Sequence, residues 1–302
     1  MTAAPLARVH ALTVHPVKGC AGLTLATARL TPAGIAHDRE FMVVDDAGTF
    51  RSQRKDPRMA RIVPGLSSDG SRLSLSIDGH TPVELETVVE GPRLDVTMHG
   101  KPFQGVDQGD EAAAWLTEAL ETPSRLVRVP SDHRRVTGGL IAGTAGFADG
   151  HAALMTSLSS LDLLNERVLA SGGSPVPMER FRPNIVVSGW DDPHTEDRVR
   201  SVRVGGAELG YAKVCVRCAV TTVDQTTGVR SGPEPLRALA GYRRVDTGGV
   251  AFGSKFAVTA PGTVSVGDPV EVTAWDDPEE GLGERLLAAL GRGPLPTPGR
   301  PR

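Results

Sequence analysis

Short runs of alternating apolar and polar residues, each closed within a few positions by glycine, aspartate or proline, recur along most of this chain. Such runs fit half-buried strands, and the closing residues fit the tight turns between them. Leu73, Leu75 and Ile77 alternate with polar residues, Asp78-Gly79 turns the chain, and Val83-Glu84-Leu85 follows. Phe41 to Val44 leads through Asp45-Asp46-Ala47-Gly48 into Thr49-Phe50-Arg51, a hairpin signature. Leu94, Val96 and Met98 run into His99-Gly100, and Ser201 to Val204 runs through Gly205-Gly206 into Ala207-Glu208-Leu209. The 35 glycines and 23 prolines supply the turns that many short strands require. Strands this short and this closely spaced predict a mainly β chain with a few helices, of the β-barrel type.

Helical signals are few. Asp110 to Leu120 is rich in alanine, carries its acids at the start and is closed by Pro123. A second helix is predicted from about Ser159 to Ala170, with Leu161, Leu164 and Val168 on one face and Gly172-Gly173 at its end. Pro235 opens a short third helix through Leu239. Leu286, Leu287 and Leu290 suggest a small terminal helix before a Pro/Gly-rich end. A chain of 302 residues has room for two modest domains. The expected division is an N-terminal β-barrel domain over 4–122, a second β-barrel domain over 123–276, and a tail over 277–302 that is partly helical or disordered.

Charge and cysteine usage narrow the setting. A net charge of -3, from 33 basic and 36 acidic residues, gives no nucleic-acid footprint. Three cysteines make no disulfide framework and fit a reducing compartment. Met1 to Arg8 has no continuous apolar segment, and no stretch approaches the roughly 20 apolar residues that span a bilayer. The expectation is a cytoplasmic protein with no membrane and no nucleic acid among its partners.

Cys218 opens Ala219-Val220-Thr221-Thr222-Val223 and follows Arg217. Positive charge beside a thiol favours its ionised form, and a thiolate is a soft ligand for a redox-active metal. Cys215-x-x-Cys218 also reads as half a zinc site, a redox dithiol or two core residues. Zinc needs about four ligands, and only Cys20 remains. A redox dithiol wants a strand-to-helix turn, whereas the residues after Cys218 look like strand. If Val214 to Val220 is regular strand, Cys215 and Cys218 face opposite ways.

Lys18 follows a strand and precedes Gly19, where backbone N–H groups can approach a phosphate. Arg182 lies between Phe181 and Pro183 and reads as a partly buried guanidinium that needs a fixed anionic partner. Asn184, two residues on, is expected on the same face. Arg39 lies in Asp38-Arg39-Glu40-Phe41. Taken singly, each cation also reads as a solvated or salt-bridged residue. Asp38, Asp197 and Asp224 read as turn residues or partners of the arginines, and Ser157 and Ser160 as helix caps. Taken together, the cationic and amide-bearing motifs and the thiol describe a site for an anionic cofactor that contains a metal.

These motifs, in this order, resemble the MOSC-domain proteins, and the chain is similar to the mitochondrial amidoxime reducing component and its bacterial relatives. Pro16-Val17-Lys18-Gly19-Cys20, Asp38-Arg39-Glu40-Phe41 and Gln53-Arg54-Lys55-Asp56-Pro57-Arg58 resemble the β-barrel domain that precedes MOSC. Phe181 to Val186, Glu196-Asp197, Arg217 to Asp224 and Pro261 to Val270 resemble MOSC itself. The resemblance spans about Val9 to Val272. It implies a molybdenum cofactor (Mo-molybdopterin), whose dithiolene supplies two sulfurs and to which Cys218 adds a third as metal ligand and catalytic residue. It further implies that Lys18, Gly19, Arg39, Ser157, Arg182 and Asn184 hold the cofactor. The implied activity is reduction of small N-hydroxylated compounds: amidoximes, hydroxylamines and N-hydroxylated bases. Larger bacterial relatives carry an iron–sulfur domain and the sulfurase a pyridoxal-phosphate domain. Neither has a counterpart here, so electrons are expected from a separate ferredoxin- or flavoprotein-type donor. The alternative is a carrier of molybdenum cofactor, or of sulfur on Cys218, without turnover.

Overall fold

Two sheets of unequal size carry the chain, in a computed structural model that describes residues 6–276. The smaller has five strands, in the order Arg93–Met98, Lys101–Asp107, Arg125–Arg128, Phe41–Val44 and Val17–Lys18. Beside it, Val63–Leu66, Arg72–Ser76 and Val83–Glu86 form a three-stranded sheet. Leu73 and Leu75 are buried and their neighbours are not, as the alternation requires. Helix α1 (Asp110–Leu120) buries Ala112, Trp115, Leu116, Ala119 and Leu120 in one core with Leu73, Leu75, Phe41 and Val43. Its bounds match the predicted ones.

The larger sheet has eight strands, in the order Val270–Trp275, Val199–Val204, Ala207–Arg217, Val250–Ala260, Ala153–Ser157, Ile185–Ser188, Arg8–Val14 and Leu23–Leu25. Ala153–Ser157 and Ile185–Ser188 run parallel. Parallel neighbours need a crossover, and helix α2 (Leu158–Ala170) supplies much of it. Leu164 and Val168 of α2 pack with Phe181, Phe252 and Leu239 in a separate core. Leu239 comes from helix α3 (Leu236–Ala240), which starts after Pro235 as predicted. The mainly β expectation holds. Among the described residues no helix is long and apolar enough to cross a membrane.

Strand pairing crosses the 122/123 boundary. Arg125–Arg128 pairs with Phe41–Val44 and completes the smaller sheet. Arg8–Val14 pairs with Ile185–Ser188 and belongs to the larger one. The reason is burial: Val9, Leu12 and Val14 share a core with Ile185, Val187 and Val202, far along the chain. The chain therefore leaves the larger sheet at Val14 and enters the smaller at Val17. That crossing makes a seam with strand ends from both sheets. The predicted tail over 277–302, including Leu286, Leu287 and Leu290, lies outside the described residues.

Candidate functional site

Strand ends deliver side chains to the seam. Lys18 ends one strand, Arg39 precedes Phe41–Val44, Arg182 and Asn184 precede Ile185–Ser188, and Cys218 follows Ala207–Arg217. All five, with Gly19, line one cleft of about 920 Å³, counting its open mouth. That size suits a small-molecule or cofactor site. Seven cations line it: Lys18, Arg39, Arg51, Arg54, Arg182, Arg217 and Lys255. The only carboxylate among the lining residues is Asp149. An excess of that size favours an anionic occupant.

Arg39 and Arg182 both sit in left-handed backbone, at φ +48° and +54°. Non-glycine residues rarely adopt that region, and the strain persists only where surrounding structure fixes it. Here the Arg39 N–H donates to the His15 carbonyl at 2.7 Å and the Arg182 N–H to the Glu179 carbonyl at 3.1 Å. Gly19 sits at φ +85°, and an added Cβ would come within 3.0 Å of Met59 Cε. Arg39 Nη1 donates to Asp38 and to Asn184 Oδ1 (3.1 Å), and Nη2 to the Arg182 carbonyl (3.1 Å). Lys18 Nζ donates to the Phe147 carbonyl at 2.9 Å and to Asp149.

The electrostatics are those of buried cations crowding each other. Burial, then the charge of Arg39, pushes the Arg182 guanidinium down to about 10. Burial lowers Lys18 against the opposing pull of Asp149. Burial would raise the Asp38 carboxyl, but Arg39 and His15 hold it down at about 2. Burial, then Arg39 and Arg182, keep His15 well below its ordinary value. Among the described residues that line the cleft, three guanidinium atoms, Arg51 Nε, Arg182 Nη2 and Arg217 Nε, are buried without a hydrogen-bond partner. Arg182 Nη1 reaches only the Gln225 amide oxygen, at 3.2 Å. The fixed anionic partner expected for Arg182 is thus not a carboxylate of this chain among the described residues.

Several expectations need correction. The residues after Cys218 are not strand: Ala219–Thr222 is a short 3-10 helix, and Cys218 caps it with extended backbone. The pairing with Val250–Ala260 slips between Val214 and Val216, which breaks the alternation at Cys215. Cys215 and Cys218 therefore line the same cleft instead of opposite faces. The thiol that Arg217 touches is Cys215: Nη1 donates to its Sγ at 2.9 Å and Nη2 to the Phe181 carbonyl at 2.7 Å. Arg182 stands outside the strand, so alternation does not relate it to Asn184. Asn184 lines the cleft, but its amide serves the protein. Oδ1 accepts from the Leu154 N–H (3.1 Å) and Arg39, and Nδ2 donates to the Thr13 carbonyl (3.1 Å). Asn184 thus orients Arg39.

Ser157 is the candidate that the fold takes away from the cleft. It is fully buried at the start of α2, where its Oγ accepts from the Ser160 N–H at 3.3 Å and donates to Glu196 Oε2 at 2.9 Å. Its cap reading holds. Ser160 Oγ donates to Glu196 Oε1 at 2.8 Å. Burial, then the adjacent Asp197 charge, pushes Glu196 up to about 7. Asp197 accepts from Ser254 and Arg243, Asp38 from Arg39, and Asp224 from Arg180 at 3.2 Å. All three aspartates partner arginines, as expected. Cys20 is buried among Val17, Met59 and Leu126, and burial pushes its thiol up to about 12.

Residues without an expected role complete the cleft. Gln53 Nε2 donates to the Gly19 carbonyl (2.8 Å) and to Gln225 Oε1 (3.0 Å), and Gln225 Nε2 donates back to Gln53 Oε1 (2.9 Å). This amide pair joins the two halves of the seam beneath Arg182. Asp149 accepts from Lys18 and from His99 Nε2. Gln53 stood in a quoted motif, but nothing local marks Gln225 or Asp149.

Comparison with known proteins agrees with this architecture. Residues 6–123 match the MOSC N-terminal beta barrel domain and residues 142–271 the MOSC domain. Human mitochondrial amidoxime-reducing component 1 is 34% identical over 284 residues, covering 87% of this chain and 82% of that protein. The mouse protein of the same name is 32% identical over 280 residues, covering 87% and 81%. Arabidopsis thaliana molybdenum cofactor sulfurase is 28% identical over 266 residues, which is 82% of this chain and 32% of the sulfurase.

Proposed function

The chain belongs to the MOSC-domain family, and on that premise we propose that its cleft binds a molybdenum cofactor and that the protein reduces N-hydroxylated compounds. One observation carries the cofactor reading: a buried guanidinium, Arg182, keeps Nη2 unpartnered in a cleft that also presents the Cys218 thiol. A cationic wall with open donors suits the phosphate of such a cofactor, and a thiol suits its soft metal. When bound, the group supplies two-electron chemistry at the nitrogen–oxygen bond of the substrate.

The chain's residues supply binding, charge and orientation. Arg182, Arg39 and Lys18 neutralise the anionic part. Asp38 and Asn184 hold Arg39 in place, and the Gln53–Gln225 pair sits beneath Arg182. Gly19 keeps the backbone free of a side chain there. Cys218 is the protein ligand. Reduction consumes two electrons and two protons per N–O bond and releases water. The electrons come from a separate redox protein, and Asp149 holds Lys18 at the cleft wall.

The test is elemental analysis and turnover of protein made in a cofactor-competent host. The expected result is molybdenum near one atom per chain, with reduction of an amidoxime by a chemical electron donor. Zinc without molybdenum would overturn the cofactor reading. Molybdenum without reduction would overturn the reductase reading and leave a carrier of cofactor or of sulfur.

A further inference from the structure

Lys255 lines the cleft, and Lys213, Arg135 and Lys101 cluster beside it closely enough to act on one another; among the described residues none of the four forms an ion pair with a carboxylate within 4 Å. Lys213 and Lys255 are directly opposed across neighbouring strands. Like charges opposed in this way cost stability, and proteins usually avoid the arrangement or add an acid between the two. Here the hydrogen bonds of Lys213, Lys255 and Arg135 go to backbone carbonyls, and Arg135 also lies over the Phe103 ring at 5.6 Å. Lys213 Nζ donates to the Gly138 carbonyl at 2.6 Å and Lys255 Nζ to the Asp149 carbonyl at 2.9 Å. Arg135 Nη1 donates to the carbonyls of Gly146 (2.8 Å) and Ala148 (2.6 Å). The carboxylate of Asp149 is taken by Lys18 and His99. Lys255, Arg135 and Lys101 all press on Lys213, whose ammonium burial already lowers. The whole chain is acidic, at a net charge of -3, so this collar is a local reversal.

Apolar side chains stand beside it. Val136 is 81% exposed, Leu140 46% and Val216 44%. The Leu140 N–H donates to the Ala212 carbonyl at 2.8 Å, next to Lys213. Val216 lines the cleft itself. A small anion has no use for exposed apolar surface, whereas a protein interface combines an apolar centre with a charged rim.

We propose that the collar of Lys101, Arg135, Lys213 and Lys255, with Val136, Leu140 and Val216, is the docking surface for an acidic electron-transfer protein. The inference rests on the reductase reading, which requires electrons from outside the chain. Complementary charge would steer the donor to the cleft mouth, where its redox centre faces the Cys218 wall.

The test measures binding apart from turnover. Oxidised plant-type ferredoxin, an acidic carrier, serves as the probe, with basic cytochrome c as the charge control and a single-stranded oligonucleotide as the competing polyanion. The full chain is expected to bind ferredoxin with an affinity that falls as salt rises, and not to bind cytochrome c. K101E/K213E should weaken ferredoxin binding about tenfold or more. Its melting temperature and its viologen-driven reduction of a neutral amidoxime should stay unchanged. Unaltered ferredoxin affinity in K101E/K213E, or no binding by the parent at low salt, overturns the proposal. So does tighter binding of the oligonucleotide than of ferredoxin, lost in the same variant. Absence of viologen-driven turnover in the parent overturns the reductase reading instead, and ferredoxin binding still decides the docking surface.

Discussion

The cleft and the nest at the start of α2 both bury charge, and they do so by opposite rules. In the nest, Glu196 accepts from Ser157 and Ser160, while Asp197 accepts from Ser254 and Arg243. Those carboxylates are fully spoken for by neighbours in the chain. In the cleft, seven cations face one carboxylate, and Arg51 Nε, Arg182 Nη2 and Arg217 Nε have no hydrogen-bond partner among the described residues. A buried polar group that is satisfied internally stabilises a fold, whereas one left open marks a place where something else binds. Both regions lie in motifs that resemble family marks. Unpartnered buried atoms also occur outside the cleft, at Arg180 Nε and the His194 ring, so what tells site from structure is that in the cleft they coincide with the excess of cations.

The sharpest way to break that contrast is at the thiols. Cys218→Ser should lower amidoxime reduction on the order of 100-fold or more, since a hydroxyl replaces a soft ligand. Cys215→Ser keeps a weak acceptor for Arg217 and should cost about tenfold or less. Steady-state rates with a chemical reductant measure both. Equal losses would point to a dithiol mechanism, and full activity of Cys218→Ser would remove the ligand assignment.

A second test uses pH, because the two regions titrate in opposite senses. Glu196 is raised to about 7 from an ordinary 4.5. Its contribution to stability is complete below 4.5 and is lost as pH rises through about 7. Asp38 is held at about 2 against an ordinary 3.8, so its contribution is present above 3.8 and is lost as pH falls towards 2. Glu196→Gln should remove a slope worth up to about 3 kcal/mol between pH 4.5 and 7. Denaturant melts of parent and variant across that window measure it. Parallel curves would mean that Glu196 is ionised in the folded protein throughout.

The mildest test separates binding from folding directly. Arg182→Ala should lower cofactor occupancy about tenfold or more, with little change in melting temperature. Ser157→Ala should do the reverse: about 1–2 kcal/mol of stability lost through the cap and the Glu196 contact, with occupancy unchanged. Molybdenum content and thermal melts of the two variants decide. A fall in stability alone for Arg182→Ala would make it a structural residue and erase the distinction between the two regions.

Much of the local structure was legible in the sequence. The alternation at Leu73 and Leu75, the Asp110 start of α1 and the Ser157 cap are short-range effects, readable within a few residues. Lys18, Gly19, Arg39, Arg182, Asn184 and Cys218 were picked out together by motifs that resemble a family, and the fold brings them to one cleft. Ser157 was misplaced because a hydroxyl in a motif says nothing about which way it faces. In the fold, Glu196, 39 residues on, claims it. The relation of Cys215 to Cys218 failed for a similar reason. A one-residue slip in the pairing with Val250–Ala260 is set by the partner strand, and no pattern within Val214 to Val220 reveals it.

By itself the sequence determined the strand-and-turn grammar, the bounds of α1 and the inventory of cations and thiols, because these depend on local periodicity and residue chemistry. Tertiary structure alone decided that Arg8–Val14 joins a sheet built mostly from residues beyond 150, and that Arg125–Arg128 returns to the first sheet. It alone decided that Gln53 meets Gln225 beneath Arg182, and that Arg182 and Arg217 keep buried donors without partners. The physical reason is that burial and hydrogen-bond satisfaction are properties of a residue's surroundings in space. Those surroundings come from chain segments more than a hundred residues apart.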